Sequence, residues 1–259
     1  LYHLNAEEEP ENEDYPKDPA FRERFGPRGV LDSKASDKDD PTVDPRFGRV
    51  GRQTIKDTGP LTRKRMETAD EEFLDRAKAF IRQQHQAGKP WMTWMNTSRM
   101  HFFTHLKKES QGVTGLGLFA DGMVEHDKHV GQLLDLLDEL KIADNTIVVY
   151  TCDNGPHFNE WPDGGNTWFR SEKNSNWEGA YRVPGMIRWP AKIKPGRVSN
   201  QIVSHLDWVP TLVAAAGDPN VKQELLTGHD AGGTRFKAHL DGYDILPHLT
   251  GATAETPRK

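Results

Sequence analysis

Apolar residues along this chain recur with helical spacing in three stretches and bunch into short strand-like runs in four others. Thr68 and Glu71 have capping-box spacing, and Phe73, Ala77, Phe80 and Ile81 repeat on one helical face. This predicts a helix from Thr68 to about Gln86, closed by Gly88-Lys89-Pro90. The bulky run Trp91-Met92-Thr93-Trp94-Met95 predicts a first core strand. After a polar loop over residues 96–117, Phe119, Met123, Val130, Leu133, Leu134 and Leu137 predict a long amphipathic helix ending near Lys141. Ala143-Asp144-Asn145 then turns the chain into residues 146–151, apolar enough for a strand buried on both faces. Residues 183–189 and 199–205 are two more candidate strands, and residues 208–216 a short helix. Helix, strand and loop in that order predict a parallel α/β layer.

The flanks lack such patterns. Residues 1–66 are rich in Glu, Asp, Lys, Pro and Gly without sustained periodicity, so they are expected to form a loop-rich segment lying on a folded body. From Val221 the chain becomes polar and turn-rich around Gly232-Gly233 and Asp241-Gly242. The expected organisation is a loop-rich segment at 1–66, a core at 67–218 and the start of a C-terminal region at 219–259.

Composition narrows the function. Hydrophobic residues are 35% and charged ones 28% of the 259, with a mean hydropathy of -0.78, which fits a soluble, polar domain. A net charge of -5 and a pI near 6.1 supply no long-range attraction for nucleic acid or an anionic membrane, so both are disfavoured as partners. No apolar run approaches the roughly 18 residues of a membrane span. The first residues, Leu1-Tyr2-His3-Leu4, carry neither Met nor a targeting pattern, so the native N-terminus is expected elsewhere. A single cysteine, Cys152, excludes an intrachain disulfide and is expected to be buried and inert.

Three places could carry chemistry. Asp153-Asn154-Gly155 follows the run 146–151, at the strand end where α/β sheets gather ligands, and its carboxylate and amide oxygen suit a hard cation. The same tripeptide is also an ordinary turn. His101 lies on the loop after residues 91–95, where an imidazole could donate to an oxyanion or protonate a leaving group, although most of the 11 His must be ordinary. Lys173, in Phe169-Arg170-Ser171-Glu172-Lys173, could hold an anion as a point charge or lie solvated in its loop.

Order and surroundings join these three signals. Asp153-Asn154-Gly155-Pro156, Trp161-Pro162-Asp163-Gly164-Gly165, Phe169-Arg170 with Lys173, Trp177-Glu178-Gly179, Arg182-Val183-Pro184 and Arg188-Trp189-Pro190 resemble the sulfatase family, bacterial arylsulfatases in particular. The likeness extends to Asn96-Thr97-Ser98-Arg99-Met100-His101, to Ala120-Asp121-Gly122-Met123-Val124-Glu125, to Asp207-Trp208-Val209-Pro210-Thr211-Leu212, and to Leu240-Asp241-Gly242 with Leu246-Pro247. It covers most of the chain from about residue 60.

The resemblance implies Asp153 and Asn154 as two ligands of a divalent cation, usually calcium with magnesium as the other candidate, and Lys173 and His101 as sulfate contacts. Glu178, Arg170 and Arg182 are expected in buried structural pairs, and Arg99 either near substrate or at the surface. The implied fold is a partial alkaline-phosphatase-like α/β/α sandwich with a mostly parallel sheet and the start of a smaller C-terminal region. The implied reaction is hydrolysis of a sulfate monoester, in a periplasmic or secreted protein. Two departures stand out. The Cys/Ser-x-Pro-x-Arg motif that yields the family's formylglycine nucleophile does not occur, nor does the family's first metal-binding Asp pair. Both are expected in an N-terminal part of the same domain, which makes that part a required partner and this chain inactive alone. Also, Ser171, Asn174 and Ala180 stand where relatives carry Gly, so any positive φ there would be strained. A phosphate or phosphonate ester hydrolase of the same superfamily, or a non-catalytic binder of sulfated glycans, are the alternatives.

Overall fold

The computed structural model describes residues 2–4, 29–41, 43–44, 48–101 and 104–259. The chain divides into two compact units, one of Leu1–Glu139 with Cys152–Val183 and the other of Leu140–Thr151 with Pro184–Lys259.

The first unit opens on a three-stranded antiparallel sheet where a loop-rich segment is expected. Strand β2 (Val30–Asp39) lies between β1 (Tyr2–Leu4) and β5 (Arg52–Asp57), with Leu4 opposite Val30 and Lys34 opposite Thr54. A short hairpin of β3 (Val43–Asp44) and β4 (Gly48–Arg49) interrupts the sequence between them. The strand is hidden from a periodicity reading because Val30, Leu31 and Ser33 are buried at one end while the rest is mostly exposed. Its ladder rests on backbone hydrogen bonds rather than on an alternating apolar face. Val30 packs with Leu61, Met66 and Ala69 in a buried cluster. Helix α1 (Arg63–Met66) begins at Thr62, whose side chain accepts from the Arg65 N–H, and Arg65 reaches back to the Thr58 and Gly59 carbonyls and forward to Glu72.

Helix α2 (Ala69–Gln86) occupies the expected span. Thr68 is its N-cap but makes no side-chain capping bond, and its hydroxyl donates to the Arg65 carbonyl instead. Its buried face runs through Ala69, Asp70, Leu74, Ala77 and Ile81, whereas Phe80 is 40% exposed, so the apolar stripe is rotated from the expected one. The helix ends at Gly88, whose φ of +63° suits glycine; Lys89 donates to the Gln84 carbonyl and Gly88 to that of His85, the paired bonds of a Schellman ending.

Helix α3 (Leu118–Glu139) also matches its expected span. Lys78 donates to Gln132 at 3.0 Å and Arg82 pairs with Glu139 through two bonds of 2.8 and 2.7 Å. These pairs advance together along both helices, so α2 and α3 run in the same direction, as helices of an α/β layer do. Residues 91–95 do not form the expected strand. Their exposure alternates, with Met92 at 64% and Trp94 at 79%, yet no described strand pairs with them, and a ladder exists only with a partner.

In the second unit β6 (Val148–Thr151) pairs with β7 (Gly185–Arg188), Val148 opposite Arg188 and Thr151 opposite Gly185. The pairing is antiparallel and β6 is half-buried, so the expected parallel, doubly covered strand is not seen; every ladder among the described strands is antiparallel. Residues 199–205 form no strand. Ile202 and Val203 are exposed, and Ser204 starts a capping box with Asp207 that leads into α5 (Trp208–Ala215). Then follow α6 (Val221–Thr227), the hairpin of β8 (His229–Ala231) and β9 (Thr234–Phe236), and α7 (Leu246–Thr250). Asp207 ties this region together by accepting from the Ser204 and Tyr243 backbone N–H groups and from Arg258.

Candidate active site

Asp153 comes two residues after β6 in sequence and belongs to the first unit. Its turn is fastened to the Lys173 loop through the main chain. Gly155 donates to the Ala180 carbonyl at 2.8 Å, Lys173 donates to the Pro156 carbonyl at 2.9 Å, and Gly179 donates to the Arg170 carbonyl at 2.8 Å. Gly155 is required by this approach, since a Cβ there would stand 1.7 Å from the Gly179 carbonyl oxygen. Segments 17 residues apart (Pro156 and Lys173) and 25 apart (Gly155 and Ala180) are thereby held side by side.

Both charges at this junction are uncommitted. Asp153 is exposed and makes no hydrogen bond or ion pair among the described residues, while Asn154 donates its side-chain N–H to the Gly155 carbonyl at 2.8 Å. With that N–H engaged, the Asn154 amide oxygen is the atom left to meet a cation. The Lys173 ammonium, half-buried, likewise forms no ion pair among the described residues. Glu172 beside it accepts from Asn159 instead. Carboxylate and amide oxygens match the hard-ligand chemistry of calcium or magnesium, yet two donors fill only a fraction of the roughly 6–8 positions calcium takes. Cys152 is half-buried, and burial, then the Asp153 charge, push its thiol above the ordinary value, which suits an inert residue.

Around Lys173 the backbone is strained in two places. Ser171 and Asn174 both have φ of +69°, the left-handed region that favours glycine, whereas Ala180 sits buried in the short helix α4 (Glu178–Tyr181) without a positive φ. The buried pairs expected of Glu178, Arg170 and Arg182 are not formed. Glu178 and Arg182 meet at 3.7 Å with both side chains more than half exposed. The two guanidiniums instead stack on aromatic rings, Arg170 on Trp177 at 3.8 Å and Arg182 on Phe169 at 4.0 Å. Planar, weakly hydrated guanidinium gains more on a ring face than in a solvated ion pair.

His101 is placed by a different set of contacts within the same unit. Asp70, fully buried in the first turn of α2, accepts from the Ser98 N–H at 2.7 Å and the Arg99 N–H at 3.2 Å. The Arg99 side chain, with no exposed surface, donates twice to Glu125 on α3, to Thr104 and to the Glu67 carbonyl. Met100 fills the space that a side chain at Gly122 would need, and His101 donates its backbone N–H to the Ser98 carbonyl at 2.8 Å. Arg99 is therefore neither a surface residue nor a substrate contact but the buried anchor of the turn that carries His101. Periodicity read for apolar residues misses this. The signal lies in Asp121, Glu125 and His129, four residues apart along α3 and all buried. Asp121 accepts from Thr114 and from the Gly112 N–H, which together hold its carboxyl below the usual range.

Sequence segments that resemble one family thus meet in two places: residues 96–101 with 120–125, and residues 153–156 with the Lys173 loop and 177–180. The sequence profile described as Sulfatase matches residues 8–218. This chain belongs to the sulfatase family.

The sulfatase chain is 33% identical to human steryl-sulfatase over 174 residues, covering 65% of itself and 27% of that protein. It is also 33% identical to bovine arylsulfatase A over 178 residues, covering 68% of itself and 31% of the relative. A crystal structure of a sulfatase from Pseudoalteromonas sp. superposes with a TM-score of 0.69 at 25% identity, over 86% of this chain and 40% of that one. The fold is part of the alkaline-phosphatase-like α/β architecture those sulfatases adopt. The sulfatase chain spans about a quarter to a third of the length of these curated relatives. Sulfatases generally use a divalent cation and a formylglycine.

Proposed function

We propose that the complete protein hydrolyses sulfate monoesters to an alcohol or phenol and inorganic sulfate, with Asp153 and Asn154 as two ligands of a calcium ion and Lys173 and His101 on the sulfate group. The observation that carries this is the junction of the Asp153 turn and the Lys173 loop. A carboxylate and an ammonium are held on hydrogen-bonded segments without pairing to each other, which leaves one for a cation and the other for an anion. When present, the formylglycine supplies the nucleophile and the cation a concentrated positive charge. Lys173 holds a sulfate oxygen as a point charge on a loop pinned by its own backbone. His101 offers an imidazole N–H to the ester or sulfate oxygens, from a turn that Asp70 and Arg99 keep rigid. Positive groups fixed before the reaction need no reorganisation as charge shifts, which makes this kind of stabilisation large.

A chromogenic aryl sulfate assay on the complete gene product, matured so that its formylglycine forms, tests the proposal. The matured enzyme is expected to turn over, Lys173→Ala to lose about 10²–10³-fold in kcat/KM, and the present chain alone to be inert. A complete enzyme that ignores several sulfate esters but cleaves phosphate esters would transfer the same residues to phosphoryl chemistry. One that does neither but binds sulfated glycans would be the non-catalytic protein that the strain at Ser171 and Asn174 raises as an alternative.

A further inference from the structure

We propose that Asp218, Glu224 and His229 form a divalent transition-metal site in the second unit, with a donor set suited to zinc. Their ligand atoms all lie within 4.8 Å of one another. The three residues come from one short stretch: Asp218 precedes α6, Glu224 lies within it, and His229 opens β8. Gly228 closes the turn between the last two by donating to the Glu224 carbonyl at 2.9 Å.

Charge is the first argument. Two carboxylates converge on one imidazole, with His229 Nδ1 at 2.5 Å from Glu224, and no Lys or Arg among the described residues pairs with either carboxylate. Neighbouring cations are committed elsewhere. Arg235, packed over Gly228, pairs with Asp230 at 2.7 Å, and Lys222 donates to the Gly242 carbonyl and lies over the Tyr243 ring. Asp218 uses one oxygen to accept from the Asn220 N–H. Two carboxylates thus face one imidazole with no Lys or Arg among the described residues to balance them. A dication removes the imbalance.

Ligand chemistry selects the ion. One nitrogen and two carboxylate oxygens match zinc, with bonds of about 2.0–2.2 Å and neighbouring donors about 3.3 Å apart in a tetrahedron. The separations, from 2.5 Å between His229 and Glu224 up to at most 4.8 Å, bracket that distance. A fourth position stays open to water. Calcium, which takes about 6–8 oxygens, is poorly served by the same set.

The test is a zinc titration of the 259-residue chain against a chromogenic chelator of known affinity at neutral pH. The chain is expected to take up one equivalent and to prefer zinc to calcium. His229→Ala and Asp218→Asn are each expected to weaken uptake by about tenfold or more, while Asp153→Asn leaves it unchanged. That last variant separates this site from the proposed sulfate-ester site, so either can fail without the other. Glu224→Gln, which retains a hydrogen-bonding side chain, controls for loss of fold and should weaken zinc with an unchanged circular dichroism spectrum. Equal zinc affinity in the chain and in Asp218→Asn would overturn the proposal and leave only the Glu224–His229 ion pair.

Discussion

At the scale of single residues, the backbone around Lys173 carries a cost that can be measured. Ser171 holds φ at +69°, where an L side chain costs about 1–2 kcal/mol; glycine avoids that cost but loses about 0.5–1 kcal/mol more entropy on folding. Ser171→Gly should therefore stabilise the chain by roughly 0.5–1 kcal/mol, and Asn174→Gly by less, because Asn tolerates this region better. Urea unfolding of the two variants decides it, and destabilisation by Ser171→Gly would mean that the Ser side chain is doing something the strain argument leaves out. A second residue gives a pH signature. Burial alone would raise the Asp207 carboxyl, but Arg258 and the Ser204 and Tyr243 N–H groups outweigh it and hold it below the ordinary value. Its stabilising contribution is thus complete above an unfolded value of about 4 and is lost as pH falls through the lower folded one. Asp207→Asn should cost about 2 kcal/mol at neutral pH and flatten the acid limb of the stability curve. An acid limb of equal slope in both proteins would refute that assignment. The positive φ at these Ser and Asn positions is not legible in local composition, since neither residue type marks a left-handed backbone as glycine does.

Elements differ in how far the chain itself announces them. Helices α2, α3 and α5 are legible because a helix satisfies its own backbone and needs only one apolar stripe. Residues 91–95 and β2 fail in opposite ways: the first has the strand pattern without a described partner, and the second has partners without the pattern. Strand formation depends on a neighbour that local sequence does not specify. The contact between α2, α3 and the turn at residues 96–101 was equally hidden, because polar residues make it. Arg99 has no exposed side-chain surface and gives both bonds to one Glu125 oxygen, leaving the other buried and without a partner. Removing the guanidinium strands the buried Glu125 carboxylate, while Asp70 keeps its two backbone N–H donors, so Arg99→Met should cost about 3–5 kcal/mol. Arg99→Met with Glu125→Leu should recover much of that, because it also removes the unpaired oxygen. Denaturant unfolding of the single and double variants measures both. A loss under about 1 kcal/mol in the single variant would show that the network is not the anchor of the His101 turn.

For the molecule as a whole, the candidate site is legible in motif order and not in periodicity: Asp153, Asn154, Lys173 and His101 stand in loops, where spacing carries no structural signal. What their surroundings add is a limit on what this chain does unaided. Asp153 and Asn154 offer two oxygen donors, and among the described residues Asp153 belongs to no group of three metal-binding side chains. Calcium takes about 6–8 oxygens, and ligand number and rigidity set its affinity across several orders of magnitude. Two protein donors on a turn, with water completing the shell, belong at the weak end. The chain should therefore bind calcium with a dissociation constant of about 10⁻⁴ M or weaker, and Asp153→Ala should abolish even that. The complete protein, if it brings further carboxylates to the same ion, should bind it orders of magnitude more tightly. Calorimetry on the chain, its Asp153→Ala variant and the complete protein makes the comparison directly. Submicromolar affinity in the chain would mean that ligands beyond Asp153 and Asn154 are already in place within these 259 residues. Equal affinity in chain and complete protein would mean that nothing outside the chain reaches the ion, and the shared-site reading of Asp153 would fall with it.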